Sequence, residues 1–148
     1  LDLEFVEQPL PADNVEQTRQ LPDEIRCRLA ADESLHHPED ALNLLTPQPA
    51  YGIFNIKLMK CGGILRGRQI ASIAEAASIP LMWGCNNESR LSLSAALHAA
   101  FSCPNTRFLD LDGNLDLVRD PAKGGYQIKN GMMTIEDTPG LGVNLNLT

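Results

Sequence analysis

Residues 54–63 read FNIKLMKCGG, a lysine set in an apolar run that ends at paired glycines. On strand geometry Asn55 and Lys57 share one face, while Phe54, Ile56 and Leu58 share the other. Burying an ammonium is costly unless its surroundings are polar, so Lys57 implies a polar lining on its own side of the strand. Lys60 falls where the strand is running out and reads as a surface residue. Gly62-Gly63 then leads into a helix, either as an ordinary strand-to-helix turn or as a place for an anion at the helix N-terminus.

The same alternation extends in both directions. LEFVEQP (3–9) is strand-like and stops at Pro9, and Asp13 or Asn14 can cap a short helix over 13–21. CRLAADES (27–34) is a second strand, and Pro38 with Glu39 and Asp40 opens a second helix. After FNIKLMK, residues 64, 70, 73, 74 and 77 recur at helical spacing. PLMWGC (80–85), an Ala/Leu-rich helix over 88–101 and FLDLDG (108–113) follow. YQIKNGMMTIED reads as a hairpin around Asn130-Gly131, a strong type I′ signal.

Strands alternating with helices imply a parallel sheet covered by helices. The spacing narrows this further. Glu7, Asp32 and Lys57 lie near successive strand ends at intervals of 25 residues, with Cys85 and Asp110 continuing the series. A regular βα period with polar strand ends is what the catalytic face of a (β/α)₈ barrel shows. Five strands do not close such a barrel, which takes roughly 250 residues. The expectation is α/β, the C-terminal part of a barrel over 1–120, followed by a hairpin and tail over 121–148. The chain begins without Met and runs straight into LDLEFVEQP, as if continuing from something longer.

A net charge of −7 argues against nucleic acid or anionic membrane as partners, and no apolar run approaches the roughly 20 residues that span a bilayer. The four cysteines form no C-x-x-C pair, which points to reduced thiols in a cytoplasmic protein rather than zinc or redox use.

Glu7 and Asp32, one βα unit apart, suit a hard divalent cation such as Mg²⁺ or simply decorate strand ends near solvent. Lys57, beside such a cation and partly desolvated, would have a depressed pKa and exchange protons near neutrality; otherwise it is an edge-strand lysine. Asp110 and Asp112 share a face by the i, i+2 rule and suit an ammonium group, a second cation or a turn-capping role. Glu88 and Ser89 read as helix-start residues, and His36, His37 and His98 form no triad.

Together VEQP (6–9), ADES (31–34), NIKLMKCGGI (55–64), GCNNES (84–89), LDLDG (109–113) and PGLGV (139–143) resemble the enolase superfamily. The resemblance is to its muconate lactonizing enzyme subgroup, and within that to the dipeptide epimerases. It implies that Glu7 and Asp32 are two of three Mg²⁺ ligands, and that Lys57 is one of two acid/base lysines. It also implies that Asp110 and Asp112 hold the α-ammonium of a dipeptide. Asn55, and Glu33 near Lys57, become supporting groups around this centre. The implied reaction is epimerisation of the C-terminal residue of an L-Ala-D/L-Glu type dipeptide through a Mg²⁺-stabilised enediolate. The first metal ligand, the opposite lysine and a capping domain that packs with the tail belong to an N-terminal half, without which the chain is expected to be inactive. A homo-oligomer and a role in recycling cell-wall peptides are also implied. o-Succinylbenzoate synthase and muconate cycloisomerase share the metal and lysines but need no ammonium anchor. A non-catalytic barrel fragment is the remaining alternative.

Overall fold

Five parallel strands lie side by side in chain order: β1 (Val6–Glu7), β2 (Leu29–Ala31), β3 (Ile53–Ile56), β4 (Leu81–Trp83) and β5 (Thr106–Leu109). Helices α1 (Val15–Arg19), α2 (Asp23–Arg26), α3 (Pro38–Leu45), α4 (Leu58–Cys61), α5 (Ile64–Ala76) and α6 (Arg90–Phe101) fall between them. This computed structural model describes residues 2–146; Leu1, Leu147 and Thr148, at the outer ends of the two expected segments, lie outside the described residues.

The three inner strands, β2, β3 and β4, are buried on both faces, with different occupants. Leu29, Ala31, Phe54, Ile56, Leu81 and Trp83 point to the helices and pack with Leu35, Leu44, Ile70, Leu93 and Leu97. The burial of each large side chain there contributes roughly 1.5–3 kcal/mol. The alternate residues, Ala30, Ile53 and Met82, form a second cluster with Phe5 and Phe108. Phe5 precedes β1 and Phe108 lies on β5, yet their rings are 4.8 Å apart and tilted by 47°. The sheet is therefore curled so far that its first and fifth strands meet across the concave side, as in a segment of a barrel.

Several boundaries differ from the sequence expectation. FNIKLMK does not stay extended: β3 stops at Ile56 and residues 58–61 make a helical turn. Gly62 ends that turn in the left-handed conformation at φ 88°, where glycine carries no Cβ penalty. The short α2 has only four residues and no apolar periodicity to reveal it. β5 ends at Leu109, so Asp110 and Asp112 follow the strand rather than lying in it.

In the tail, β6 (Ala122–Gly124) pairs antiparallel with β9 (Val143–Leu145), and β7 (Gln127–Lys129) with β8 (Met132–Thr134). Asn130 and Gly131 have φ of 52° and 75°, the two left-handed residues a type I′ turn requires. Arg90 of α6 lies 4.0 Å above the Tyr126 ring and donates to Gly124 O at 3.0 Å, tying the tail to the barrel segment. No described helix is long and apolar enough to cross a membrane.

Candidate functional site

Parallel register brings the strand ends to one edge. Glu7 pairs with Ala30, Ala31 with Phe54, Ile56 with Trp83, and Trp83 with Leu109. Glu7 closes β1, whereas Asp32, Lys57, Gly84 and Asp110 each come one residue after a strand. Side-chain alternation continues past the strand ends and turns Glu7, Asp32, Asn55 and Lys57 to the concave side.

These four residues touch. Lys57 Nζ donates to Asp32 Oδ2 at 2.8 Å and stands 3.5 Å from Glu7 Oε1. Asn55, fully buried, donates from Nδ2 to Glu7 Oε1 at 2.7 Å. Two carboxylates from neighbouring strands thus converge on one cationic centre, which is the arrangement a hard cation also demands.

A second lysine, Lys60, completes the cluster instead of lying at the surface as its place at the strand end suggests. The Lys60 side chain is 10% exposed and pairs with Asp32 Oδ1. It also donates to the main-chain oxygens of Asp32 at 2.6 Å and Asn55 at 3.2 Å. On an extended strand, position i+3 from Lys57 would face away from it; on the helical turn it returns to the same side. The paired glycines were the available signal, since they mark the end of a helical turn as readily as the end of a strand.

Burial works to lower the Lys57 pKa, but the Asp32 and Glu7 carboxylates outweigh it and hold the pKa above its usual value. Here the lysine sits against two anions, whereas the depressed value expected above belongs to a lysine beside a divalent cation. At Lys60 burial dominates, and its pKa lies below the usual value. At Asp32 burial favours the neutral acid, yet hydrogen bonds from Lys57 and Lys60 prevail and lower its pKa.

Gln8 is a further residue the sequence did not single out. Its Nε2 donates to Leu10 O at 2.8 Å, Ser34 Oγ at 2.9 Å and Tyr51 Oη at 2.9 Å. Its Oε1 accepts from the Asp32 and Ser34 amides at 2.9 and 3.2 Å. Gln8 lies at φ 37°, an uncommon conformation for a non-glycine residue. VEQP and ADES are therefore physically linked: one glutamine fixes the backbone that carries Asp32.

Asp110 and Asp112 are exposed, with Leu111 buried between them, and the Asp110 amide continues the ladder to Trp83 O at 2.9 Å. The described contacts do not join them to Lys57. Glu33 is exposed; its charge acts on Lys60 rather than through a hydrogen bond to Lys57. Glu88 is buried and accepts from the Asn86 amide at 2.9 Å and from the Ser92 hydroxyl, so it shapes the start of α6. A hollow of about 670 Å³ lies on the outer layer between α3 and α5, lined by Glu39, Leu65 and Arg66 and remote from the strand ends.

A curled parallel sheet with helices outside and a carboxylate–lysine cluster on its C-terminal edge defines a segment of an enolase-type (β/α) barrel. The chain belongs to the family described as Enolase C-terminal domain-like, whose model matches residues 1–148. It is 57% identical to an L-Lys-D/L-Arg epimerase of Methylococcus capsulatus over 143 residues, which is 97% of this chain and 40% of that protein. It is 37% identical to an L-Ala-D/L-Glu epimerase of Clostridium acetobutylicum, over 97% of this chain and 40% of that protein. A crystal structure of the Methylococcus capsulatus dipeptide epimerase with Mg and the dipeptide L-Arg-D-Lys superposes with a TM-score of 0.93. That match covers 95% of this chain and 40% of the solved one. The chain thus spans about two fifths of the length of these relatives.

Proposed function

We propose that this chain supplies part of the active centre of a dipeptide epimerase, complete only with the preceding part of the barrel. The observation that carries the reading is Lys57 Nζ held at 2.8 Å from Asp32 and 3.5 Å from Glu7, on the edge where a barrel receives its substrate. In this reading Glu7 and Asp32 ligate Mg²⁺. The all-oxygen donor set and the convergence of both carboxylates on one cationic position support it. When bound, Mg²⁺ supplies Lewis-acid stabilisation of the charge that develops on the substrate carboxylate.

Lys57 exchanges a proton with one face of the substrate α-carbon. It is suited to this because it is 15% exposed and its two anionic neighbours leave an N–H free for the substrate. Asn55 holds Glu7 in place, and Asp110 with Asp112 anchors the α-ammonium by charge-assisted hydrogen bonds. The preceding barrel strands and a capping domain contribute the opposite lysine, a third ligand and closure over the substrate, with the tail from residue 121 packing towards that cap. We place the protein in the cytoplasm as a homo-oligomer.

For substrate class, the 57% identity to an L-Lys-D/L-Arg epimerase, against 37% to an L-Ala-D/L-Glu epimerase, favours dipeptides of basic residues. The net charge of −7 favours the approach of cationic substrates. The L-Ala-D/L-Glu type is the second reading. The test is α-proton exchange in D₂O by the full-length protein with Mg²⁺, comparing L-Lys-L-Arg and L-Ala-L-Glu. Lys57→Ala is expected to abolish turnover, and normal exchange in that variant would remove Lys57 from the mechanism. Equal turnover of an N-blocked dipeptide would instead favour an activity without an ammonium anchor, such as a cycloisomerase.

A further inference from the structure

The two lysines of the cluster differ in one countable respect. An ammonium has three N–H donors. Lys60 meets three acceptors: the Asp32 main-chain oxygen at 2.6 Å, the Asn55 main-chain oxygen at 3.2 Å, and Asp32 Oδ1. All its donors are used within the protein, and its side chain is 10% exposed, so it has nothing to offer a substrate. Lys57 takes the other carboxylate oxygen, Oδ2, and remains the more open of the two.

We infer that Lys60 is a positioning residue for the metal centre, fixing Asp32 so that its Oδ2 alone faces the cation position. The clamp grips the residue at two points, main chain and carboxylate, and through Asn55 O it ties that residue to β3. A carboxylate held this way cannot rotate about its terminal torsion, which is otherwise broad. It therefore meets an incoming cation already oriented. The helical turn over 58–61 exists in the right place for this: Lys60 and Cys61 amides donate to Lys57 O at 3.0 Å, and Gly62 closes the turn.

The inference rests on the reading of Glu7 and Asp32 as metal ligands, and its test has a readout independent of dipeptide turnover. In the full-length protein, free Mn²⁺ is titrated by electron paramagnetic resonance for wild type, Lys60→Met and Lys60→Arg, with thermal unfolding followed alongside. Positioning predicts at least a tenfold weaker Mn²⁺ affinity in Lys60→Met and recovery to within about threefold in Lys60→Arg. A residue acting only by its charge predicts the opposite sign, because removing a cation near the site tightens metal binding. Exchange of both epimers should fall together at low metal and recover together at saturating metal.

Should Lys60→Met fail to fold, Lys60→Gln, which keeps neutral N–H donors, carries the same test with at least threefold weakening. Unchanged or tighter Mn²⁺ binding in a folded variant overturns the inference. Weaker binding in a protein that epimerises no dipeptide leaves it standing and defeats only the proposed activity. A wild-type protein that binds no Mn²⁺ overturns both.

Discussion

Asn55 and Gly84 face each other across β3 and β4: a Cβ placed on Gly84 would come within 2.6 Å of Asn55 Oδ1 and 2.9 Å of Nδ2. The glycine is what allows the buried amide to lie flat and donate to Glu7 at 2.7 Å. Asn55 has no rotamer to retreat to, being fully enclosed. Gly84→Ala should therefore push the amide off Glu7 without touching either carboxylate. The lost hydrogen bond to a charged group amounts to about 1.5–3 kcal/mol, or roughly tenfold or more in metal affinity. Metal titration of the full-length variant checks this, and unchanged affinity would mean Asn55 does not position Glu7.

Gln8 presents a different case, since it makes five hydrogen bonds and touches no reacting group. Gln8→Ala would leave the Asp32 and Ser34 amides unsatisfied in a half-buried loop. The expected loss is about 2–4 kcal/mol of stability, read as a lower urea midpoint at unchanged slope. A loss under about 0.5 kcal/mol would show that water replaces the glutamine freely.

These two positions also mark how far the sequence could be read. The βα period located Glu7, Asp32, Lys57 and Asp110 because it depends only on strand spacing, which a parallel barrel keeps regular. The faces of β3 followed from alternation. Lys60 was misplaced because a four-residue helical turn is too short to show periodicity, and one turn in place of extension reverses the direction of i+3. A glutamine in a loop has no pattern, so nothing in the sequence marks Gln8; its role lies in five contacts with four residues spread from residue 10 to residue 51. Gly84 reads only as part of the PLMWGC strand, and the packed neighbour alone explains it.

Asp110 and Asp112 give a prediction about recognition rather than chemistry. Both are exposed and available to a substrate ammonium. Asp112→Asn keeps the shape and removes the charge, so KM for a free dipeptide should rise about 10- to 150-fold, corresponding to 1.5–3 kcal/mol. KM for an N-acylated dipeptide should change little. If both rise equally, the residue serves the fold of the loop and not the ammonium.

The cysteines should separate by burial. Cys61 is 1% exposed and burial pushes its thiol above the ordinary 9.0; Cys85 is shifted in the same direction, again first by burial. Cys27 is exposed. A raised pKa means less thiolate at any pH below it, and the thiolate is the reacting species. Iodoacetamide at pH 8 should label Cys27 first and Cys61 only on unfolding, as peptide mass mapping would show. Early labelling of Cys61 would mean that the turn over 58–61 opens in the native state.

The contact between Phe5 and Phe108 tests the curl of the sheet itself. Their rings lie 4.8 Å apart although one precedes β1 and the other sits on β5, the two outer strands of the described sheet. A flatter sheet would separate them by four inter-strand steps of roughly 4.8 Å each. Aromatic pairs at this distance couple by about 0.5–1.5 kcal/mol beyond the area they bury. Phe5→Leu and Phe108→Leu, singly and together in the full-length protein, should therefore give a coupling energy in that range by urea unfolding. Strict additivity would mean that β1 and β5 stand further apart in the assembled barrel than in this chain. The floor beneath Glu7, Asp32 and Lys57 would then be set by other side chains.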